Sequence, residues 1–152
     1  LFRLAEAHSM GSHMDLLLRY VFPPAYLEQR LPEVDWLRRI GLEQEAKVVA
    51  YAWAACRGVD LRAELGQVRA PSLVIAGLND LLTPPYLARA VAEGLVNGEL
   101  EVWEETGHFP FLEDPGRFNR RLEDFIEGCL GQADRQDDDG DGRVKAPPEE
   151  IP

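Results

Sequence analysis

A short apolar run near the middle of the chain limits the fold more than any other feature. Residues 72–76, Ser-Leu-Val-Ile-Ala, lie between Pro71 and Gly77, and the apolar side chains follow one another without alternating with polar ones. A strand with this pattern is typical of a parallel sheet that helices cover on both faces. The run therefore predicts an α/β architecture.

The segments that follow this run support the prediction. Thr83 and Pro84 are residue types of a helix N-cap and a first helical position, and they precede a helix-like stretch at 86–96. Residues 100–103 predict a second strand, and apolar residues at helical spacing predict a last helix over 115–131. The order strand, helix, strand, helix predicts parallel strands joined by a right-handed crossover.

The remaining segments flank this core, which we place at residues 67–131. Residues 15–66 have the pattern of helices interrupted by prolines. Residues 132–152 hold no aromatic residue and several acidic ones, so we expect an acidic, disordered tail. Residues 1–14 are either a functional segment or the remnant of an expression tag.

Charge and composition exclude several classes of function. The 152 residues include 16 Lys and Arg against 27 Asp and Glu, a net charge of −11 that disfavours nucleic acids and anionic membrane surfaces. The longest apolar stretch, 48–56, is far shorter than the roughly 20 residues of a membrane span. Cys56 and Cys129 are too few for a disulfide framework, which suggests a reducing, cytoplasmic compartment. Small ligands and protein partners remain.

The tail contains a partial match to a calcium-binding loop. Asp137, Asp139 and Asp141 occupy alternate positions before a glycine, as in the first half of an EF-hand loop. However, Pro148 stands where a bidentate glutamate belongs, and no helix-forming segment follows. The pattern favours a solvated acidic tail over a metal site.

Two candidate catalytic residues follow the two predicted strands. Asp80 lies in the loop after the first strand, and His108 lies in the loop after the second. Loops at the carboxyl ends of neighbouring parallel strands meet at one edge of the sheet, so we expect the two side chains to lie side by side. A carboxylate beside an imidazole is the orienting half of a nucleophilic triad. Alternatively, Asp80 only caps the next turn and His108 only packs in its loop.

The sequence from 59 to 127 resembles the C-terminal third of the α/β-hydrolase superfamily. The resemblance rests on the segment 68–77 with Asp80, on Gly107-His108, and on the Glu-Asp-Pro sequence at 113–115. The branch of enol-lactonases, esterases and carbon–carbon bond hydrolases is the most similar. The resemblance implies that Asp80 is the triad acid, that His108 is the base, that residues 15–66 end a cap region and that no cofactor is needed.

The nucleophile of this superfamily lies in a Gly-x-Ser-x-Gly turn, and residues 7–11, Ala-His-Ser-Met-Gly, are the candidate. Ser9 would then be the nucleophile, and the backbone N–H of Met10 would donate to the oxyanion. The alternative is that the Gly-Ser-His-Met sequence at 11–14 is left from a cleavable tag. On that interpretation Ser9 is accidental and His13 is tag or surface.

We therefore expect the C-terminal part of an α/β-hydrolase fold, preceded by cap-like helices. The expected activity is hydrolysis of an ester, a thioester or a related acyl bond in a small apolar substrate, with Phe109 and Phe111 lining the substrate pocket. The sheet is incomplete by itself, so we expect a dimer or a complex with an N-terminal hydrolase half. The competing hypothesis is a remnant of the fold that has no catalytic activity and acts in binding or assembly.

Overall fold

The computed structural model describes the backbone of residues 10–138 and the side chains of residues 10–131. Within that range, helices come first and a small sheet with its own helices follows. The elements are α1 (Met10–Val21), α2 (Pro24–Gln29), α3 (Leu31–Leu42), α4 (Ala46–Ala55), β1 (Ser72–Gly77), α5 (Pro85–Gly94), β2 (Gly98–Trp103), α6 (Pro110–Glu113) and α7 (Pro115–Asp138).

The two strands pair in parallel, as the sequence predicted. Ser72 lies opposite Gly98, and the register continues to Gly77 opposite Trp103. Helix α5 connects the strands and packs against both of them. Trp103 is 1% exposed at the end of β2, where it contacts Phe118 of α7 at a ring distance of 6.5 Å. Both strands therefore end at the same edge, and the loops that follow them are neighbours.

The helical region is organised around α1. Leu18, Val21 and Phe22 form a buried cluster, which side chains from the neighbouring helices and from Phe109 cover. Proline stands in the first turn of α2 and of α3, where its missing N–H has no helical partner to lose. The prediction of helices interrupted by prolines is confirmed for this part of the chain.

Three local expectations need correction. His13 is fully buried in α1 beside Trp53, rather than on the surface, because α1 begins at Met10 and turns this side chain inward. Thr83 does not cap α5, whose N-cap is Pro84. The last helix does not stop at Gly131 but continues to Asp138, so the first residues of the expected tail have a helical backbone.

Several expectations concern residues at the margins of the described range. Ser9, Asp139 and Asp141 lie outside the described residues, and the side chain of Asp137 lies outside them as well. None of the helices in the described range is both long and apolar enough to cross a membrane. No cluster of His, Cys, Asp and Glu side chains suited to a metal ion is found among the described residues.

Candidate active site

The loops after β1 and β2 are bonded directly to each other. The Leu78 N–H donates to the Trp103 carbonyl at 2.8 Å, and the Asn79 N–H donates to the Thr106 carbonyl at 2.9 Å. The Asn79 amide also donates to the Glu104 carbonyl at 2.6 Å. Gly77 permits this approach, because a Cβ at that position would collide with the backbone of Thr106 and Gly107. The two loops therefore form one unit at the sheet edge.

Asp80 and His108 meet within this unit. Oδ2 of Asp80 lies 2.8 Å from Nδ1 of His108, and Asp80 is only 5% exposed. A carboxylate facing Nδ1 favours the tautomer that carries the proton on that nitrogen. Nε2 of His108 is then the nitrogen free to accept a proton. The expectation that the two side chains lie side by side is met by this geometry.

The Asp80 carboxylate is held by three further hydrogen bonds. Oδ1 accepts the backbone N–H groups of Leu82 and Thr83, both at 2.9 Å. The Thr83 hydroxyl donates to Oδ2 at 2.6 Å, and its oxygen lies 3.1 Å from Nδ1 of His108. Burial alone would raise the pKa of Asp80, but the hydrogen bonds from Thr83 and His108 outweigh burial and hold the pKa below its ordinary value. Asp80 is therefore an anion at neutral pH.

Glu113 fixes the backbone on both sides of His108. Its carboxylate accepts the Gly107 N–H at 2.8 Å and the Phe109 N–H at 3.0 Å. Burial raises the pKa of Glu113 above its ordinary value, the nearby charge of Asp80 adds to this rise, and the two backbone N–H groups oppose it. The Glu113 side chain thus holds the loop after β2 in place through its backbone, without contacting the ring nitrogens of His108.

The carboxyl end of α1 contacts both loops. The Val21 carbonyl accepts the His108 N–H at 2.6 Å, and the Tyr20 carbonyl accepts the Leu81 N–H at 2.9 Å. The last carbonyls of a helix have no partner inside the helix, so they are available for such contacts. Gly107 allows α1 this close, because a Cβ there would collide with the Val21 carbonyl. Helix α1 therefore connects the loop after β1, which carries Asp80, to the loop after β2, which carries His108.

Comparison with known proteins shows which proteins this chain resembles. The chain is 37% identical to a pimeloyl-[acyl-carrier protein] methyl ester esterase of Nitrosomonas europaea over 94 residues, 60% of this chain and 37% of that protein. It is 28% identical to the AB hydrolase superfamily protein YisY of Bacillus subtilis over 95 residues, 62% of this chain and 35% of that protein. No protein-family model matches the chain.

The fold agrees with these relatives. The crystal structure of the enol-lactonase from Burkholderia xenovorans LB400 superposes with a TM-score of 0.76 at 23% identity, covering 83% of this chain and 48% of that one. The chain is therefore similar to α/β hydrolases in sequence and in fold. It spans between about a third and a half of the length of these proteins, and it holds the C-terminal part of the α/β-hydrolase fold.

The α/β-hydrolase fold here brings some of the predicted site residues together and leaves others apart. Phe109 packs edge-on against the His108 ring at 4.8 Å and contacts Phe111 at 5.8 Å, whereas Phe111 is 53% exposed and is not among the residues that line the cavity beside His108. Met10 begins α1, and at 1.5 Å per residue it lies about 16 Å from Val21, which contacts His108. Met10 is therefore not among the described contacts of the Asp80–His108 pair.

Two residues that hold the Asp80–His108 pair in place were not predicted from the sequence. Thr83 follows Asp80 by three residues, a spacing at which a carboxylate and the backbone often form a local turn, and this signal was available. Glu113 was noticed only as part of the Glu-Asp-Pro sequence. Its contact with Gly107 and Phe109 depends on how residues 107–113 fold back, which no local pattern specifies.

An apolar cavity of about 200 Å³ opens beside His108. One wall is a face of α1, and the others come from α3, α4 and the two loops. Of the lining side chains that the structure describes, His108 is the one that can carry a charge. Phe109 and Trp53 contribute to the lining, while Trp36 borders a separate depression with Leu37 and Leu112.

Proposed function

We propose that this chain provides the acid–base half of a serine hydrolase that cleaves an ester, thioester or related acyl bond of a small apolar substrate. The observation that carries the proposal is the 2.8 Å contact between the buried Asp80 carboxylate and Nδ1 of His108, a residue that also lines an apolar cavity. The relatives named as an esterase and an enol-lactonase support the same reaction class. No cofactor takes part in the proposed reaction.

In the proposed reaction His108 acts first as a base and then as an acid. Nε2 takes the proton of a serine hydroxyl while the serine oxygen attacks the acyl carbon, and Asp80 stabilises the resulting imidazolium. His108 then gives that proton to the leaving oxygen or sulfur, and the acyl–serine bond forms as the substrate bond breaks. Water repeats the sequence and releases the acid.

Ser9 is the candidate nucleophile within this sequence, with the Met10 N–H as an oxyanion donor. Met10 begins α1, about 16 Å along the helix from Val21, and Ser9 lies outside the described residues. The alternative source is a serine from a paired chain or segment. Among the described residues β1 pairs only with β2, so its other edge is available for a further strand. We therefore propose a complex, a homodimer or a pairing with an N-terminal hydrolase half.

A fluorophosphonate probe tests this proposal and locates the nucleophile. The intact assembly is labelled, the modified serine is identified by mass spectrometry, and native mass measurement reports the chains present. We expect labelling that disappears in His108→Ala, because the serine loses its base. Labelling at Ser9 that also disappears in Ser9→Ala assigns the nucleophile to this chain, and labelling on a co-purifying chain assigns it there. An assembly that is never labelled would overturn the proposal and favour a non-catalytic role.

A further inference from the structure

The cavity beside His108 extends along one face of helix α1. Met14, Leu17, Leu18 and Val21 lie on one face of α1 and line it along its length. His108 is at the Val21 end, because its N–H is bonded to the Val21 carbonyl at 2.6 Å. Trp53 marks the Met14 end, since it contacts His13, the neighbour of Met14, at a ring distance of 6.4 Å. The cavity therefore leads from the base to Met14.

The dimensions of the cavity fit a single hydrocarbon chain. Val21 lies seven helical steps after Met14, which at 1.5 Å per residue is a length of about 10 Å. A volume of about 200 Å³ over that length leaves a mean cross-section of about 20 Å². This cross-section suits one unbranched chain. A branched or fused-ring group of the same volume would need a shorter and wider cavity.

The Met14 end of the cavity is apolar. Met14 is 8% exposed, and its sulfur and methyl group lie against Gly41 of α3, at a place that a Cβ on residue 41 would occupy. Among the described lining residues no Asp, Glu, Lys or Arg is present. A terminal carboxylate or ammonium would thus be buried without a partner, at a cost that favours a methyl end.

We propose that Met14 determines substrate specificity by setting the greatest acyl length, and that the site takes straight aliphatic acyl groups with an uncharged end. This inference rests on the proposed hydrolase function and refines its substrate class. Gly41 contributes to this length limit, because the absence of a side chain at residue 41 leaves room for the Met14 side chain at the end of the cavity.

The test is a series of unbranched p-nitrophenyl esters of increasing acyl length, measured with the full chain in its native assembly. While added methylenes enter the cavity, kcat/KM should rise by about fourfold for each. Beyond the length at which the chain meets Met14, kcat/KM should stop rising. The acyl length at which kcat/KM stops rising is called the break. Met14→Ala should move the break to longer esters, and Met14→Val, which keeps more of the packing, should move it less in the same direction.

Leu17→Ala is the matched control, because it truncates the same wall one helical turn nearer to His108. It should widen the cavity and improve turnover of branched esters while the break stays at the wild-type length. The proposal is overturned if the break is unchanged in both Met14 variants, or if Leu17→Ala moves it as far as Met14→Ala does.

A binding measurement separates this inference from the proposed function. Straight-chain alcohols of increasing length are titrated into the His108→Ala assembly, and the change in tryptophan fluorescence near Trp53 is followed. Affinity that stops rising at a length set by residue 14 supports the inference even if the wild-type assembly hydrolyses no ester, in which case the proposed function fails alone. Ester hydrolysis with no dependence on chain length leaves the proposed function standing and overturns the inference.

Discussion

The two loops that carry Asp80 and His108 are held very differently from the helices that cover them. Buried or half-buried hydrogen bonds fix the loops, including those from Thr83 and Glu113. The helices pack against one another through apolar contacts around Leu18 and Phe22, and their cross-helix ion pair is exposed, although Tyr20 and Val21 at the end of α1 also bond to the loops. Directional bonds fix a geometry, whereas apolar contacts allow neighbouring packings of similar energy. In the proposed reaction, the loops therefore position Asp80 and His108, and the helices line the cavity beside them.

The largest expected effect on activity comes from a substitution of Asp80. Asp80→Asn keeps the size of the side chain but removes the charge that orients His108, so kcat for ester hydrolysis should fall by about 10³- to 10⁴-fold. Asp60→Asn is the matched control, because Asp60 is an exposed carboxylate paired with Arg62. Steady-state kinetics of the two variants check the prediction. Similar losses in both, or none in Asp80→Asn, would contradict it.

A smaller effect is expected at Glu113. Glu113→Gln retains one acceptor oxygen but turns an amide NH₂ toward the other backbone N–H, leaving one of the Gly107 and Phe109 donors unpaired at a cost of about 1–3 kcal/mol. The loosened loop after β2 should lower kcat by about tenfold, with less change in KM. Glu127→Gln on the exposed side of α7 is the comparison. If kcat is the same in the two variants, Glu113 does not position His108.

The pH dependence of stability should also separate the two regions. The folded-state pKa of Asp80 is depressed, so this carboxylate stabilises the protein above its ordinary pKa, and the contribution is lost as pH falls through the folded-state value. Asp80→Asn should therefore lose stability at neutral pH and approach the wild type in acid. Thermal unfolding from pH 7 down to pH 3 measures the gap between the two. A difference in stability between wild type and Asp80→Asn that stays constant or grows toward acid pH would contradict the prediction.

The smallest effect is expected within the helices. Arg38→Met removes the exposed pair in which the Arg38 Nε lies 2.6 Å from Asp15, a contact between α3 and α1. Exposed ion pairs contribute little, so the free energy of unfolding should fall by less than about 1 kcal/mol, and the difference should shrink in high salt. Denaturant unfolding at two salt concentrations provides the values. A loss as large as that in Asp80→Asn would show that directional bonds hold the helices as well.

The same contrast explains what the sequence could predict. The strand pattern at 72–76 and the order of elements predicted the sheet, and its parallel sense placed Asp80 and His108 at one edge. The contact of Val21 with His108 could not be predicted, because the docking of α1 depends on packing across the whole helical region. His13 was misjudged for the same reason. A tag-like tetrapeptide describes the origin of a segment, whereas its burial depends on the helix in which it folds.

The tautomer of His108 is the most direct test of the proposed pairing between Asp80 and His108. Long-range ¹H–¹⁵N correlation of the imidazole in the native assembly, with His108→Ala used to assign the signals, reports which ring nitrogen carries the proton when the ring is neutral. We predict a proton on Nδ1, facing Asp80, and an unprotonated Nε2 that is free to act as a base. A ring that is protonated on Nε2 instead would contradict this pairing, since His108 could not then accept the proton of a nucleophile.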